Sequence, residues 1–289
     1  MTPPADPRPY DPRPCELGEG PVWHPERGRF FWFDILNRRL LSRDHDGTDE
    51  GPREWRFDRM ASAAGRVDRD RLLIGTERGL ALLDLRGGGL ADIVPIEADR
   101  PGTRSNDGRA DRQGGFWLGT MGKRAEAGQG AIWRFFRGEL RRLVAGLTIP
   151  NAICFSPDGR MAHYADTARG TVWRQMLDAD GWPEGEAQVF LDFGPGASPD
   201  GAVIDAAGGF CCALWGEGCV IRHDAQGRPT HRLEVPGRHS SCPAFGGAGM
   251  REMLVTTARE GIADPDPAQG LPYLLRAPFA GLPEPKVML

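Results

Sequence analysis

The sequence predicts an all-β fold, a six-bladed β-propeller with four antiparallel strands in each blade. The first observation is a hairpin plan, consisting of a strand, a Gly- or Asp-bearing turn and a second strand, that recurs six times. The second is the spacing of the copies, because four-stranded units that repeat every 40 to 50 residues or so are typical of propeller blades. The third is the content of 40 Gly and 25 Pro among 289 residues, which implies many tight turns.

Six segments carry the hairpin plan: residues 19–34, 63–76, 106–120, 151–166, 200–213 and 242–256. Their first residues are separated by 44, 43, 45, 49 and 42 positions. Alternating stretches such as residues 130–143 and 170–176 follow the hairpins and supply the outer strands. A helical solenoid would require long windows of 3.6-residue periodicity, and a parallel α/β fold would require crossover helices, so the sequence favours neither.

The ends of the chain and its cysteines restrict the domain plan and the compartment. Residues 1–14 contain six prolines and no apolar run, so they are expected to be neither a signal peptide nor a membrane helix. We expect residues 15–289 to form one propeller domain, because a closed ring needs all its blades to remove exposed strand edges. The six cysteines are too sparse for a disulfide scaffold and lack a zinc spacing. Together these features predict a soluble cytoplasmic protein with reduced thiols.

The charge pattern points to a small partner. The net charge is −4, and the basic residues are dispersed along the chain. Such a pattern argues against nucleic acid and against a membrane surface as partners. We therefore expect a small-molecule ligand, and a monomer or a weak homo-oligomer.

The first residue of each repeat is a candidate for chemistry, because the first strand of a propeller blade lines the central channel. These six lead residues should face one another across the axis; they are Glu19, Ala63, Asn106, Asn151, Asp200 and Cys242. Four carry side-chain oxygens, and converging carboxylate and amide oxygens favour Ca²⁺, Mg²⁺ or Mn²⁺ over Zn²⁺ or Fe²⁺. The alternative for each single residue is a turn role, because Asn and Asp-Gly pairs shape many turns.

Several motifs resemble those of the senescence marker protein/gluconolactonase family, which contains regucalcin and bacterial sugar lactonases. The motifs are LGEGPVW (17–23), RSNDGR (104–109), WLGTM (117–121), PNAICFSPDG (150–159), PDG (199–201) and SCPAFGG (241–247). The resemblance implies a six-bladed propeller that hydrolyses aldonolactones, the sugar lactones, to aldonic acids. It also implies one axial divalent cation held by Glu19, Asn151 and Asp200, with Ca²⁺ first and Zn²⁺, Mn²⁺, Mg²⁺ or Fe²⁺ as alternatives.

By the same resemblance Arg104 and Asn106 bind the substrate, and Asp200 is also the catalytic base. The sequence departs from the family pattern at two places. Ala152 follows Asn151 where the family usually has Gly. Arg124, preceded by Lys123, stands where some relatives carry a substrate-contacting Glu. The second departure leaves the substrate specificity open.

The sequence also bears on other chemistries and functions. A nucleophilic triad is not indicated, because there is no Gly-x-Ser-x-Gly elbow and the histidines lack an obvious serine or cysteine partner. His239 is the histidine expected nearest to the channel. Two functional alternatives stay open: a non-catalytic propeller that binds calcium or a protein partner, and a hydrolase of other esters at the same metal site.

Overall fold

Six four-stranded antiparallel sheets contain the strands of the structure, which is a computed structural model describing residues 7–45, 51–194 and 196–289. In the first three blades the strands are β2 (Gly18–His24), β3 (Arg29–Asp34), β4 (Arg39–Asp44) and β5 (Arg53–Arg56); β6 (Ala61–Arg66), β7 (Arg71–Thr76), β8 (Gly79–Asp84) and β9 (Leu90–Pro95); and β10 (Thr103–Ala110), β11 (Phe116–Gly122), β12 (Gly130–Phe136) and β13 (Glu139–Leu147). These bounds confirm the first three predicted hairpins.

The other three blades follow the same plan, except that the last also takes a strand from the start of the chain. Their strands are β14 (Pro150–Phe155), β15 (Met161–Asp166), β16 (Thr171–Met176) and β17 (Gln188–Asp192); β18 (Pro199–Ile204), β19 (Phe210–Leu214), β20 (Cys219–His223) and β21 (Pro229–Glu234); and β22 (His239–Gly246), β23 (Glu252–Ala258), β24 (Tyr273–Arg276) and β1 (Arg8–Pro9). The predicted six-bladed propeller is therefore confirmed.

The strand β1 closes the ring by pairing with β24. Arg8 lies opposite Leu274, and Pro9 lies opposite Tyr273. A proline is tolerated there because an outermost strand does not need the missing N–H for a further ladder. The proline-rich start of the chain thus contributes to the last blade, while a domain boundary at residue 15 stays a prediction.

Helical structure among the described residues is limited to two single 3₁₀ turns, Thr167–Arg169 and Ala248–Met250. The described residues contain no helix with the length and apolar character needed to cross a membrane. All six cysteines are buried and unpaired.

The core lies between neighbouring blades. Phe33 of β3 packs in one cluster with Leu72 and Ile74 of β7. Trp117 of β11 meets Phe155 of β14 edge to face, with ring centroids 5.3 Å apart. Each blade therefore buries its apolar side chains against the blades on either side of it, which explains why the repeats need a closed ring.

The inner strands define two faces of the propeller, an upper face where they begin and a lower face where they end. Residues 277–289 run across the lower face and bond to the turns between inner and second strands. Ala280 O accepts from Ala206 N, and Met288 N donates to Gly114 O, both at 2.8 Å. Glu284 of this segment, which is partly buried, forms an ion pair with the buried Arg109 of β10. The C-terminal segment therefore covers the lower end of the channel.

Candidate active site

One cavity of about 500 Å³ opens on the upper face, where the inner strands begin. Five sequence-predicted residues line it together: Glu19 from β2, Arg104 and Asn106 from β10, Asn151 from β14 and Asp200 from β18. Each is buried, with at most 8% of its surface exposed. The fold thus brings together side chains from four blades that are up to 181 positions apart in the sequence (200 − 19).

A β-bulge in every inner strand aims these side chains. The strand registers shift between Glu19 and Val22, and likewise between Asn151 and Cys154. A bulge bends its strand and redirects a side chain, so it can turn a residue from the sheet towards the channel. Ala152 follows Asn151 with a φ of 55°, the left-handed conformation in which Gly has no steric penalty. The departure from Asn-Gly therefore keeps the backbone shape at a local cost in strain.

Buried aspartates at the ends of the second strands hold the loops that lead into β2 and β14. Asp34 accepts hydrogen bonds from the backbone N–H groups of Glu16 and Leu17, both at 3.2 Å. Asp166 accepts the equivalent bonds from residues 148 and 149, both at 3.0 Å. The two carboxylates thereby fix the backbone two residues before Glu19 and before Asn151.

The six lead positions are not structurally equivalent, which corrects the prediction that all face one another at one level. Glu19 and Asn151 pair with the second strand directly before the bulge, whereas Asn106 and Asp200 lie within it. Ala63 lies beyond the bulge of β6, and Cys242 is the second residue of the bulge in β22. Neither of these two lines the cavity. A shift of one or two residues relative to the bulge is invisible in the repeat alone.

A chain of hydrogen bonds joins three of the blades. Arg104 Nη1 donates to Asn106 Oδ1 at 2.8 Å, and Asn106 Nδ2 donates to Asn151 Oδ1 at 2.9 Å. Asn151 Nδ2 donates to Thr167 Oγ1 at 2.8 Å, and Thr167 Oγ1 donates to the Pro199 carbonyl at 2.6 Å. These hydrogen bonds fix the orientation of both side-chain amides, so that a lone pair of Asn151 Oδ1 remains for a ligand.

The carboxylates of Glu19 and Asp200 are costly to bury as a pair of anions. Burial and the charge of Asp107 raise the pKa of Glu19 to about 8. Burial and the charge of Glu19 raise the pKa of Asp200 well above its ordinary value. Arg104 opposes both shifts. A cation between the two carboxylates would favour their charged forms.

The donor set fits a hard divalent cation. Two carboxylates and an amide oxygen are the ligand types that Ca²⁺ and Mg²⁺ prefer. The described ranges contain no group of three His, Cys, Asp or Glu side chains that could hold a metal ion, so a softer metal with a nitrogen or sulfur site has no candidate there. Glu19, Asn151 and Asp200 are therefore the residues that could hold a cation, with waters or substrate completing its coordination.

The walls of the cavity come mostly from residues that follow the second strands, and only the basic pair among them was singled out from the sequence. These wall residues are Lys123 and Arg124 after β11, Thr167 after β15, Trp215 after β19 and Glu260 after β23. The position directly after a second strand could have identified Thr167, Trp215 and Glu260 from the sequence, because second strands end on the same face on which inner strands begin. Their residue types have nothing in common.

His239 lies behind the wall. Its ring stacks on Trp215 with centroids 4.4 Å apart, and Nδ1 lies 2.9 Å from the Glu260 carbonyl. It supports Trp215 without lining the cavity. His24 and His163 are buried in their hairpins, where burial lowers the pKa of each imidazole to about 4.

A larger cavity, of about 860 Å³, lies beside β1. Its carboxylates Asp11 and Asp44 are paired with Arg13 and Arg29. Its described lining offers no further carboxylate or amide side chain beside these two paired carboxylates, so ligand chemistry favours the smaller cavity as the active site.

Residues 17–259 match the SMP-30/Gluconolactonase/LRE-like region family. The chain belongs to this family. The match covers the first five blades and two of the four strands of the sixth. The family resemblance seen in the sequence motifs is therefore confirmed.

Relatives within the family are similar along nearly their whole length. A crystal structure of regucalcin from Agrobacterium tumefaciens, described as a calcium-binding protein, is 39% identical, with a TM-score of 0.95 over 98% of this chain and 97% of that chain. An L-arabinolactonase of Azospirillum brasilense is 34% identical over 92% of this chain and 90% of its own. A 6-deoxy-6-sulfogluconolactonase of Pseudomonas putida is 31% identical over 94% and 95%.

Proposed function

We propose that the chain hydrolyses sugar lactones and that it does so with one divalent cation, Ca²⁺ first among the candidates. The observation that carries the proposal is the meeting of Glu19, Asn151 and Asp200 with Arg104 and Asn106 in one cavity. The names of the lactonase relatives support the reaction, and the calcium-binding regucalcin supports the cation.

Glu19, Asn151 and Asp200 would hold the cation. When bound, a divalent cation supplies Lewis acidity that polarises the carbonyl of an ester such as a lactone. The attacking water must lose a proton as it adds to that carbonyl. Asp200 would accept this proton, as the family resemblance implies for this residue; its buried carboxylate accepts a backbone hydrogen bond from Gly201 and lies beside Glu19. Because a bound cation favours the charged form of Asp200, this carboxylate would be ionised at neutral pH and would take the proton as the water attacks.

Arg104 and Asn106 would position the substrate. Arg104 uses Nη1 for Ser105 O and Asn106 Oδ1, at 2.9 and 2.8 Å. Its remaining donors stay available for carbonyl or hydroxyl oxygens of a sugar lactone. The bond from Arg104 also fixes which way the Asn106 amide points, so the pair acts as a rigid oxygen-binding wall.

The outer part of the substrate varies within the family. The two lactonase relatives are named for an arabinolactone and for a sulfonated gluconolactone, which differ in size and charge. We therefore propose that the lactone ring binds at the Asp200 end of the cavity. The wall residues would select the substituents at the outer part of the substrate.

A second candidate is calcium binding without catalysis, because the regucalcin structure is described only as that of a calcium-binding protein. The same three ligands serve both functions. Arg104 favours the lactonase, because burial lowers the pKa of its guanidinium and a calcium buffer would gain nothing from an arginine beside its cation.

The test is lactone hydrolysis by purified protein, followed as acid release above the spontaneous rate. Chelation should abolish it, and add-back of Ca²⁺, Mn²⁺, Zn²⁺, Mg²⁺ or Fe²⁺ should show which cation restores it. Glu19→Gln, which keeps the size of the side chain, should need more cation for half-maximal activity. Full activity in excess chelator would contradict the metal-dependent proposal, and calcium binding without any hydrolysis would favour the second candidate.

A further inference from the structure

The rim of the cavity carries a positively charged side chain that has no role in the proposed mechanism. Lys123 and Arg124 both line the cavity and are exposed at its mouth. Lys123 Nζ is neutralised by Glu77 Oε2 at 2.5 Å. The guanidinium of Arg124 has no hydrogen-bond or ion-pair partner among the residues that the structure describes. Arg124 is thus the rim cation without a direct ion pair, although the charge of Glu126 lies near enough to interact with it.

The backbone around Arg124 is held in a defined turn. Lys123 N donates to Gly102 O at 2.8 Å, and Ala125 N donates to Gly122 O at 2.9 Å. Arg124 N donates to Glu126 Oε2 at 3.0 Å, so that this carboxylate is used by the backbone. The turn therefore presents the Arg124 side chain from a fixed point on the rim.

We propose that Arg124 binds an anionic group at the outer end of the substrate, so that the preferred lactones are acidic ones. The group is a carboxylate, a sulfonate or a phosphate, whose oxygens match the planar donors of a guanidinium. This inference rests on the proposed lactonase function, because it assumes that the lactone carbonyl lies at the Asp200 end. The terminal carbon of the sugar then points away from Glu19, Asn151 and Asp200, towards the rim.

The charges of the wall agree with this direction. Arg104, the lining cation at the inner end of the cavity, lies in the field of Glu260, Glu19 and Asp200, which stabilise its charge against burial. An anion near the floor would meet carboxylates, whereas an anion at the rim would meet Arg124. The charges therefore favour an acidic lactone bound with its anionic group at the rim and its lactone carbonyl at the Asp200 end.

The test compares gluconolactone with gluconolactones that carry a carboxylate, a sulfonate or a phosphate at carbon 6. The quantity is the ratio of kcat/KM for each acidic lactone to kcat/KM for the neutral one, measured with the cation present. Arg124→Ala should lower the ratio about 10-fold, as expected for one charge-assisted hydrogen bond. Arg124→Glu should lower it further through repulsion. Arg160→Ala, which removes an exposed arginine on the lower face, is the matched control and should leave the ratio unchanged.

The largest ratio among the three acidic lactones identifies the preferred anion. A ratio in Arg124→Ala equal to that of the unaltered protein would overturn the inference, whatever the rate of hydrolysis. Calorimetric binding of the corresponding open-chain acids tests the same selectivity without turnover, as the ratio of association constants for the acids with and without the second anionic group. If no lactone is hydrolysed, the proposed function fails, but a 10-fold loss of anion selectivity in binding would still support the role of Arg124, and its absence would still refute it.

Discussion

Thr167 shows how a residue outside the proposed ligand set can control the site. Its hydroxyl accepts from Asn151 Nδ2 and donates to the Pro199 carbonyl, which ties a ligand on β14 to the strand that carries Asp200. Thr167→Ala would leave the buried Asn151 amide without this partner. Because partners that orient ligands typically control about 10- to 100-fold in metal affinity, we expect a loss of that size in Ca²⁺ affinity, measured by titration calorimetry.

Thr167→Ser is the control for this prediction, since it removes a methyl group and keeps the hydroxyl. It should retain most of the Ca²⁺ affinity. Equal weakening in both variants would mean that packing, and not the hydrogen bond to Asn151, is what Thr167 supplies.

The raised pKa values of Glu19 and Asp200 predict how cation binding depends on pH. In the cation-free protein burial raises the pKa of Glu19 to about 8 and that of Asp200 in the same direction. A cation must then displace protons, so its affinity should rise between pH 5 and 8. Calorimetry in buffers of different ionisation enthalpy should detect about one proton or more released per cation at pH 7. No proton release there would contradict the raised pKa values.

The raised pKa values also make the stability of the cation-free protein depend on pH. A carboxyl group whose pKa is raised in the folded state binds more protons in the folded protein than in the unfolded one. Its contribution to the free energy of unfolding is therefore complete below its ordinary pKa and is lost as pH rises to the folded-state pKa. The Tm of the cation-free protein should therefore fall as pH rises from about 4.5 to 8, and Glu19→Gln should flatten this dependence. An unchanged slope in Glu19→Gln would contradict the prediction.

At the scale of elements, the bulges of the inner strands control where the ligands lie. Gly20 and Ala152 follow Glu19 and Asn151 and share the left-handed conformation, with φ values of 51° and 55°. Only Ala152 has room for a side chain. A Cβ on Gly20 would overlap the carbonyl oxygen of Ser62 on the next blade.

Gly20→Ala should therefore lower the free energy of unfolding by roughly 2 kcal/mol or more and weaken cation binding through displacement of Glu19. In Ala152→Gly the relief of strain and the loss of a buried methyl oppose each other at about 1 kcal/mol each, so the net change should stay within about 1 kcal/mol. Urea unfolding of both variants tests the contrast, and similar losses in the two would show that Ser62 does not restrict blade 1.

The scale of elements also separates what the sequence could predict from what it could not. Glu19, Asn151 and Asp200 were found because each opens a hairpin repeat that contains its own turn and strand signals. Trp215 and Glu260 were missed because they lie in loops after the second strands, and their direction depends on neighbouring blades. The displacement of Cys242 relative to its bulge likewise depends on strand register, which a pattern of apolar residues does not reveal.

At the scale of the whole molecule, we expect the lower face to stabilise the ring through an ion pair that includes a buried arginine. Arg109 lies below the site, donates to Ile153 O at 3.2 Å and contacts the carboxylate of Glu284 from the C-terminal segment. Burial opposes the charge of Arg109, yet Glu284 and Asp107 outweigh it and raise its pKa. Glu284 thus joins the end of the chain to the channel.

Glu284→Ala should leave a buried guanidinium with less compensation and lower the free energy of unfolding by about 3 kcal/mol. Glu139→Ala breaks the exposed pair with Arg141 and is the matched control, for which we expect less than about 1 kcal/mol. Urea unfolding measures both. Equal effects would show that the C-terminal segment does not stabilise the propeller through this pair.

The double role of Asp200, as cation ligand and as proton acceptor, is most directly examined in Asp200→Asn. An amide oxygen can still bind a hard cation but cannot take the proton of the attacking water. Ca²⁺ binding and lactone hydrolysis should be measured on the same preparation at saturating Ca²⁺. We expect the cation to remain bound and hydrolysis to fall by about 100-fold or more. Hydrolysis near the rate of the unaltered protein, with Ca²⁺ bound, would show that Asp200 is not the base.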